Sequence, residues 1–217
     1  GKSTLLKCIL SLINGAKYNG EIFIDDKLIL KMSQKEIAKN IAYVPQAGGI
    51  IPPYSVKDFL ILSRYVHRFS DNKNLQNKNA IDKALDLTGM QEFSDISLDK
   101  LSGGERQKAY LAAALAQEAE ILLLDEPSSF LDPKYVTELD NLLFSLNREN
   151  KLTIITVTHD LNHVLASNGL VLALSHGKQC WFGQVKNIKE KQVFDLVFEH
   201  RFSFLKHPSV DKELVFV

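Results

Sequence analysis

The chain has 217 residues, of which 45% are apolar and 24% are charged, and its 26 basic side chains balance its 26 acidic ones. This length suits one large α/β domain, and the neutral balance does not support nucleic acid as the main partner. No apolar stretch approaches the length that spans a bilayer, and we expect no secretory signal. Cys8 and Cys180 have neither metal-ligand nor disulfide spacing, which is typical of a protein in a reducing cytoplasm. We expect both to be buried as small hydrophobic residues.

Short helices and strands are predicted over the first part of the chain. GKSTLLKCILSLI (1–13) predicts a helix entered from a glycine, and EIFID (21–25) alternates like a strand. Ser33, with Glu36 three residues later, is a capping-box pattern that begins a short helix. IAYVPQ (41–46) predicts an apolar strand that proline ends.

The segment 47–100 is predicted to be mostly helical and to form a subdomain inserted into the α/β core. A second capping-box signal, Ser55 with Asp58, begins the helical stretch SVKDFLILSRYVHRF (55–69). Residues 70–79 are polar and asparagine-rich, so we expect an exposed connection there. Helical patterning resumes in AIDKALDLTGM, and Gly89 is expected to end that helix.

Residues 121–175 alternate strand, helix, strand, helix and strand, which predicts an α/β layer with polar chemistry at the carboxyl ends of the strands. ILLLDEP (121–127) is a buried strand and LTIITVTHD (152–160) a second one, separated by a helix that Asp132 caps. LVLALSHGKQCWFG (170–183) predicts two strands joined by a turn. The aromatic-rich segment 198–217 fits either a short strand pair or a dimer contact.

GKST (1–4) is the second half of the phosphate-loop pattern G-x-x-x-x-G-K-[ST]. Lys2 would meet the β- and γ-phosphates of a nucleotide, and the Ser3 hydroxyl would bind Mg²⁺. Backbone N–H groups at the start of the helix would hold phosphate oxygens. Four residues alone fit a solvated helix start equally well, so this interpretation depends on the rest of the chain.

Polar side chains follow three of the predicted strands. Asp125 and Glu126 end the run ILLLDE, where one carboxylate could face a magnesium ion and the other an attacking water. His159 follows the next strand and could hydrogen-bond a γ-phosphate, and Gln46 could touch metal and water without adding charge. The alternatives are solvated charges at a strand end, a structural histidine and an ordinary loop amide.

LSGGERQ (101–107) is the most specific pattern in the chain. Ser102, Gly103 and Gly104 precede an Ala- and Leu-rich helix, and a helix start with exposed N–H groups binds anions. One phosphate cradle is already present at residues 1–4, so a second would serve the nucleotide of another subunit. This predicts a head-to-tail dimer with ATP between the subunits; the alternative is a glycine-rich helix start alone.

In this order, the motifs resemble those of the ATP-binding cassette ATPases of ABC transporters. The matching strings are GKST, the glutamine after IAYVP, LSGGERQ, ILLLDEP, SSFLDP and VTHDL. The resemblance implies a P-loop NTPase-type, mostly parallel sheet flanked by helices, with an inserted helical subdomain carrying the signature motif. It implies that residues 1–217 are a single ABC ATPase domain that binds ATP and Mg²⁺.

The resemblance also implies a role for each matching residue. The phosphate and magnesium contacts lie in the first motif, the metal or water ligands at the ends of two strands, and the general base and the γ-phosphate sensor at strand ends as well. The contacts with the partner subunit's nucleotide lie in the signature. In that order these are Gly1, Lys2, Ser3 and Thr4; Gln46 and Asp125; Glu126 and His159; and Ser102, Gly103 and Gly104. Asp132 would link the two active sites across the dimer.

The stretches MSQKEIAKNIAYVPQ and PYSVKDFLILSRYVH resemble the importer branch that handles iron–siderophore complexes, haem and cobalamin. That branch typically reads R-Y-P-H where this chain has a valine, Val66, in third place. The resemblance implies a homodimer at the cytoplasmic face of the membrane, bound to a permease through residues 47–68 and served indirectly by a substrate-binding protein. Zinc, manganese or another small solute remains an alternative cargo.

Two further classes remain as alternatives, a soluble ABC ATPase of DNA repair or translation and a silent fragment acting as a binding module. The family's first strands, its adenine-stacking aromatic and the first half of its phosphate loop would precede Gly1. We therefore expect an N-terminally truncated chain with an open sheet edge, an incomplete nest of N–H donors and weak nucleotide binding.

Overall fold

The computed structural model describes residues 1–13, 20–46, 48–68, 73–129, 131–189, 192–206 and 213–216. The chain divides into two compact units, one made of Gly1–Leu5 with Thr158–Val217 and the other of Leu6–Val157. Within the described part of the chain, no helix combines the length and apolarity needed to cross a membrane.

The described residues form eight α-helices and nine β-strands. In chain order these are α1 (Lys2–Ile9), β1 (Phe23–Ile24), β2 (Lys27–Leu28), α2 (Gln34–Asn40), β3 (Ile41–Val44), α3 (Val56–Ser63), α4 (Lys73–Thr88), α5 (Gly103–Ala116), β4 (Ile121–Asp125), α6 (Pro133–Asn150), β5 (Thr153–Val157), α7 (Leu161–Ala166), β6 (Leu170–Ser175), β7 (Lys178–Gln184), α8 (Val193–Phe198), β8 (Ser203–Lys206) and β9 (Glu213–Phe216).

A three-stranded parallel sheet forms the centre of the unit Leu6–Val157, in the order β3-β4-β5. Ala42 lies opposite Leu122, and Leu122 lies opposite Ile154, so the strands are in step and their carboxyl ends meet at one edge. Helices separate the strands in sequence, as parallel connections require. This arrangement confirms the predicted α/β class and the predicted sheet.

Strand β4 is covered on both faces, which explains its uninterrupted apolar sequence. Leu122 and Leu124 pack on one face against Leu111 of α5 and Leu139 of α6. Leu123 packs on the other face in a cluster with Leu6 of α1, Leu10 just after α1, Ile37 of α2 and Ile41 of β3. Burying each leucine contributes about 1.5–3 kcal/mol relative to exposure, so the central strand is the best-anchored element of the sheet.

Helices α3, α4 and α5 share a second core within the same unit. Four alanines of α5 lie in it with Val56, Leu60, Ile81 and Leu85; they are Ala109, Ala112, Ala113 and Ala116. Small side chains let neighbouring helices approach closely, which suits the Ala-rich signature helix. The boundaries of a helical subdomain at 47–100 stay a prediction.

The predicted helix boundaries depend on local hydrogen bonds that the structure confirms. Ser33 and Glu36 form the full capping box of α2, and Ser55 accepts from the N–H of Asp58 at 3.1 Å. Gly89 ends α4 with a φ of 65°, a conformation that costs glycine little. The N–H of the next residue, Met90, then donates to the Leu85 carbonyl at 2.8 Å.

One prediction for the helical segment was wrong, and a second is corrected in extent. The predicted exposed connection at 70–79 is helical from Lys73 onward, because polar residues can occupy the solvent side of a helix that buried residues such as Ile81 anchor. The helix predicted over 55–69 ends at Ser63 and continues as a 3-10 helix, Arg64–His67. Residues 69–72 lie outside the described residues.

Other predictions were corrected in extent or burial. Only Phe23–Ile24 of EIFID is a strand, because Asp25 takes a φ of 50° and turns the chain into β2. The second predicted buried strand, β5, is at the edge of the described sheet, and Ile155 is 41% exposed. Cys180 is exposed and Cys8 is half-buried, so neither is the fully buried residue that was expected.

The other unit holds two antiparallel strand pairs. Strands β6 and β7 join through His176 and Gly177, with φ values of 49° and 75°, as the predicted turn requires. Strands β8 and β9 pair near the carboxyl end, so of the two alternatives for 198–217 the strand pair is confirmed. Its residues pack on Phe194 and Val193 of α8.

Candidate functional site

Strand β4 delivers two adjacent carboxylates to its carboxyl end. The strand ends at Asp125, whose side chain is 4% exposed. Glu126 follows with a φ of 48°, in the left-handed region that non-glycine residues rarely adopt. Its N–H donates to the Val157 carbonyl of β5 at 2.9 Å, which holds this conformation. In a continuous strand the two side chains would point to opposite faces of the sheet. The strand geometry ends at Asp125, so it does not set the direction of the Glu126 side chain.

The Glu126 carboxylate is the centre of a polar cluster. Gln46 Nε2 donates to Glu126 Oε2 at 2.8 Å, and Ser129 Oγ donates to the same oxygen at 3.1 Å. Gln46 lies just after β3, the parallel neighbour of β4, so the sheet register brings together residues 80 positions apart. Two of the sequence-predicted site residues thus meet directly.

Tyr43 of β3 is the neighbour of the buried Asp125. Its hydroxyl donates a long hydrogen bond of 3.5 Å to Asp125 Oδ2. Burial, and next the negative charge of Asp125, raise the pKa of Tyr43 above its ordinary value. Tyr43 therefore stays protonated and remains a donor to Asp125 over a wide pH range.

Tyr43 and Ser129 were missed by the sequence analysis. Ser129 lies three residues after Glu126, and its N–H closes a turn on the Glu126 carbonyl at 3.1 Å. A serine at that spacing after a strand end is a recognisable turn signal. Tyr43 gives no such signal, because only the register of β3 against β4 places it beside Asp125.

The signature motif forms an exposed helix start. Ser102 caps α5: its hydroxyl accepts from the Glu105 N–H at 3.3 Å and donates to the Glu105 carboxylate at 2.7 Å. The Ser102 N–H donates to that carboxylate at 2.8 Å. These bonds, the hydroxyl first, lower the pKa of Glu105 below its ordinary value. Ser102 and Gly103 are exposed, so the predicted ligand-facing end of α5 is accessible in this chain.

Gly104 has a structural role beside its predicted one. A Cβ atom there would lie 3.1 Å from the ring of Tyr135, in the first turn of α6. The Lys108 ammonium lies 4.7 Å from the centre of the same ring and bonds Glu138 at 2.5 Å. Glycine therefore permits close contact between the signature helix and α6.

Asp132 caps the same helix α6. Its Oδ1 accepts from the N–H groups of Lys134 and Tyr135, at 2.9 and 3.1 Å. The side chain is exposed at the surface of the unit that also contains the signature. The predicted role of Asp132 across a dimer stays a prediction.

The remaining predicted residues belong to the unit of Gly1–Leu5 and Thr158–Val217. Helix α1 begins at Lys2, and the Leu5 N–H donates to the Gly1 carbonyl at 3.0 Å. Lys2 and Thr4 are exposed, and Ser3 is half-buried. His159 is exposed beside Asp160, the N-cap of α7. The nucleotide-contacting roles of these residues stay predictions.

The carboxylate at the end of β4 is of a type that magnesium uses as a ligand. Among the described residues, no group of three or more His, Cys, Asp or Glu side chains could hold a metal ion. Mg²⁺ usually takes one or two carboxylates, phosphate oxygens and several waters. Asp125, buried at the end of β4, supplies one carboxylate of this kind, and the roles of Gln46 and Ser3 as magnesium ligands stay predictions.

The family model described as "ABC transporter" matches residues 1–129. An iron(3+)-hydroxamate import ATP-binding protein of Bacillus subtilis, FhuC, is 34% identical, over 98% of this chain and 78% of its own length. The ferric enterobactin transport ATP-binding protein FepC of Escherichia coli is 33% identical, over 99% and 79%. The similarity therefore includes both units.

Two solved structures share the fold. One is a metal-chelate type ABC transporter in an inward-facing conformation, with a TM-score of 0.80, 26% identity and coverage of 99% of this chain and 80% of that one. The other is a dimeric ATP-binding cassette bound to ADP and Pi, with a TM-score of 0.71, 26% identity and coverage of 85% and 81%. Both are ATP-binding cassettes or contain one.

Proposed function

The chain belongs to the ABC transporter family of ATP-binding proteins, and from this premise we propose that it is the ATP-hydrolysing subunit of an importer for iron–siderophore complexes. The observation that carries the ATPase is the cluster at the end of β4, where Glu126 accepts hydrogen bonds from Gln46 and Ser129. Relatives named for iron(3+)-hydroxamate, ferric enterobactin and petrobactin support the cargo.

Glu126 is the proposed general base. Its carboxylate can take a proton from the water that attacks the γ-phosphate. The two donors on Oε2 fix the orientation of the carboxylate. The Ser129 N–H closes a short turn that fixes the backbone of Glu126 at the strand end. The position of the proposed base is therefore set by its backbone as well as by its side-chain contacts.

Phosphate binding falls to other residues of the chain. Lys2 and the N–H groups at the start of α1 would hold the β- and γ-phosphates, and His159 would donate to the γ-phosphate. Asp125, Gln46 and Ser3 would hold Mg²⁺, which neutralises charge on the phosphate oxygens when bound. Tyr43 keeps the Asp125 carboxylate oriented through its hydroxyl.

The proposed assembly is a head-to-tail homodimer on a permease. The exposed start of α5 would contact the nucleotide of the partner subunit, as its accessible Ser102 and Gly103 allow. Residues 47–68 would dock the permease at the cytoplasmic face of the membrane, and a substrate-binding protein would deliver cargo to that permease. Exposed apolar side chains on the segment support docking: Ile50, Tyr54, Ile61, Leu62 and Tyr65.

The proposal is tested by transport in liposomes that contain the full-length protein with its neighbouring permease. We expect ATP hydrolysis, and ATP-dependent uptake of a ferric hydroxamate or ferric catecholate delivered by the cognate binding protein. The Glu126→Gln variant is the control for hydrolysis. Uptake of only zinc, manganese, haem or cobalamin would contradict the iron–siderophore assignment, and complete absence of ATP hydrolysis would favour the binding-module alternative.

A further inference from the structure

We propose that Arg64 is a positioning residue that ties the segment 47–68 to the carboxyl end of helix α5 and transmits movement of that segment to Ser102. The inference rests on the proposed function, since it assumes that 47–68 docks a permease. Arg64 is 3% exposed, although its neighbour Tyr65 is 56% exposed on the same 3-10 helix. A buried guanidinium requires specific hydrogen-bond or ion-pair partners.

The partners of Arg64 come from two helices. Nη1 donates to the Ala116 carbonyl, in the last turn of α5, at 2.7 Å, and it also pairs with the Glu118 carboxylate. Nε donates to the Asn77 Oδ1 of α4 at 2.8 Å. One side chain thus joins residues 47–68, which we call the docking segment, to both α4 and α5.

His67 makes a second connection one turn later. Its Nε2 lies 2.8 Å from the Gln117 carbonyl and must be the donor, because a carbonyl only accepts. The Gln117 side chain in turn donates to the Ile41 carbonyl at 2.9 Å and to the Ala38 carbonyl. The end of α5 is therefore bonded to the docking segment on one side and to the start of β3 on the other.

These bonds use groups that a helix leaves open. The last carbonyls of an α-helix have no partner within the helix, and they carry its partial negative charge. Arg64 and His67 donate to the carbonyls of Ala116 and Gln117. Side chains of the docking segment therefore supply the hydrogen bonds that a further turn of the helix would have made. The planar guanidinium reaches several acceptors at fixed angles, which an ammonium group cannot do.

The mechanical consequence follows from the length of α5. The helix has 14 residues and is therefore about 20 Å long at about 1.5 Å per residue. Its packed alanines leave little room for bending within the shared core. A displacement of Arg64 is passed to Ser102 at the far end, while the Gln117 bonds pass it to β3, which ends just before Gln46.

The test compares variants in the complex of the full-length protein with its permease, measuring kcat and KM for ATP together with assembly. Arg64→Lys keeps the charge and loses the planar fork. His67→Gln keeps a donor for the Gln117 carbonyl, and His67→Leu removes it. Arg148→Lys, on the exposed side of α6, is the matched control. Glu118→Gln removes the charge of the carboxylate that pairs with Arg64. Because the Glu118 side chain is 57% exposed, this substitution should leave the fold intact.

In complexes that still assemble, we expect Arg64→Lys to lower permease-stimulated kcat about tenfold, within the range by which such changes alter coupling between sites. KM for ATP should stay nearly constant, because Arg64 touches no nucleotide. Glu118→Gln should cause a smaller loss, and His67→Gln should retain activity that His67→Leu loses.

A purely structural Arg64 would give a different pattern. The thermal midpoint would fall and less complex would assemble, but kcat per assembled complex would stay within about twofold of wild type; that result overturns the proposal. Equal activity of His67→Gln and His67→Leu would also contradict it. If the wild-type complex hydrolyses no ATP, the proposed function fails first and this inference falls with it.

Discussion

The carboxyl end of β4 and the amino end of α5 are built in opposite ways. Glu126 takes its hydrogen bonds from Gln46, 80 residues away, and from Ser129, and its neighbour Asp125 is buried. The Ser102 side chain bonds to Glu105 in the first turn of its own helix, and Ser102 is exposed. The proposed hydrolytic end is thus assembled from distant parts of one chain, whereas the signature end is a local structure exposed at the surface.

The largest expected effect comes from replacing the proposed base, Glu126, by an amide of the same shape. Glu126→Gln should lower hydrolysis by about 10²–10⁴-fold, the usual contribution of a general base. The amide oxygen can still accept from Gln46, so ATP binding should persist and an ATP-bound dimer should accumulate. Single-turnover hydrolysis and size-exclusion chromatography with ATP and Mg²⁺ measure the two effects.

The matched control for that substitution is Glu149→Gln on the exposed end of α6, which should leave both measurements unchanged. A Glu126→Gln protein that remains monomeric with ATP and Mg²⁺ would contradict the sandwich dimer. Hydrolysis close to wild type would instead remove Glu126 from the base role.

The two glycines of the signature should respond differently to alanine. Gly104→Ala should destabilise the fold by about 1–3 kcal/mol, because the new methyl group lies 3.1 Å from the Tyr135 ring in a packed contact. Gly103→Ala meets nothing within 4 Å and should be neutral or slightly stabilising in a helix. Urea denaturation measures both variants.

The contact itself is tested by a double mutant. Combining Gly104→Ala with Tyr135→Ala removes the ring that the methyl group meets, so most of the loss caused by Gly104→Ala should disappear on that background. An unchanged loss would show that the strain lies elsewhere in α5.

Replacing the cap of α5 separates its two roles. Ser102→Ala should cost about 1 kcal/mol of unfolding free energy, since the helix loses its capping oxygen. Ser102→Thr should restore most of that stability but crowd the exposed surface. ATP hydrolysis that falls with Ser102→Thr at normal stability would support the contact with a partner's nucleotide; hydrolysis that follows stability alone would contradict it.

The smallest expected effect is a pH dependence of the same cap. The pKa of Glu105 is lowered in the folded protein, so the folded state binds fewer protons and the capping box stabilises it above the ordinary glutamate pKa. That contribution is lost as the pH falls through the lowered pKa. The difference in unfolding free energy between wild type and Glu105→Gln should shrink from about pH 6 to about pH 3; a constant difference would rule out the ionised cap.

Elements with local causes could be predicted from the sequence. The caps at Ser33, Ser55 and Asp132 need partners only two or three residues away, so their sequence spacing contains the geometry. The buried strand ending at Asp125 follows from an apolar run stopped by two carboxylates. Local reasoning failed at residues 73–79, where a polar sequence is held in a helix by the buried residues that follow.

The sequence by itself determined which residues are available for chemistry and roughly where each strand and helix ends. Only the tertiary structure decided which of them meet. The parallel register of β3 and β4 puts Gln46 on Glu126 and Tyr43 beside Asp125. Helix packing buries Arg64 against the end of α5 in the same way. Such contacts join residues 52 to 82 positions apart, and no local pattern encodes a pairing that depends on how whole elements pack.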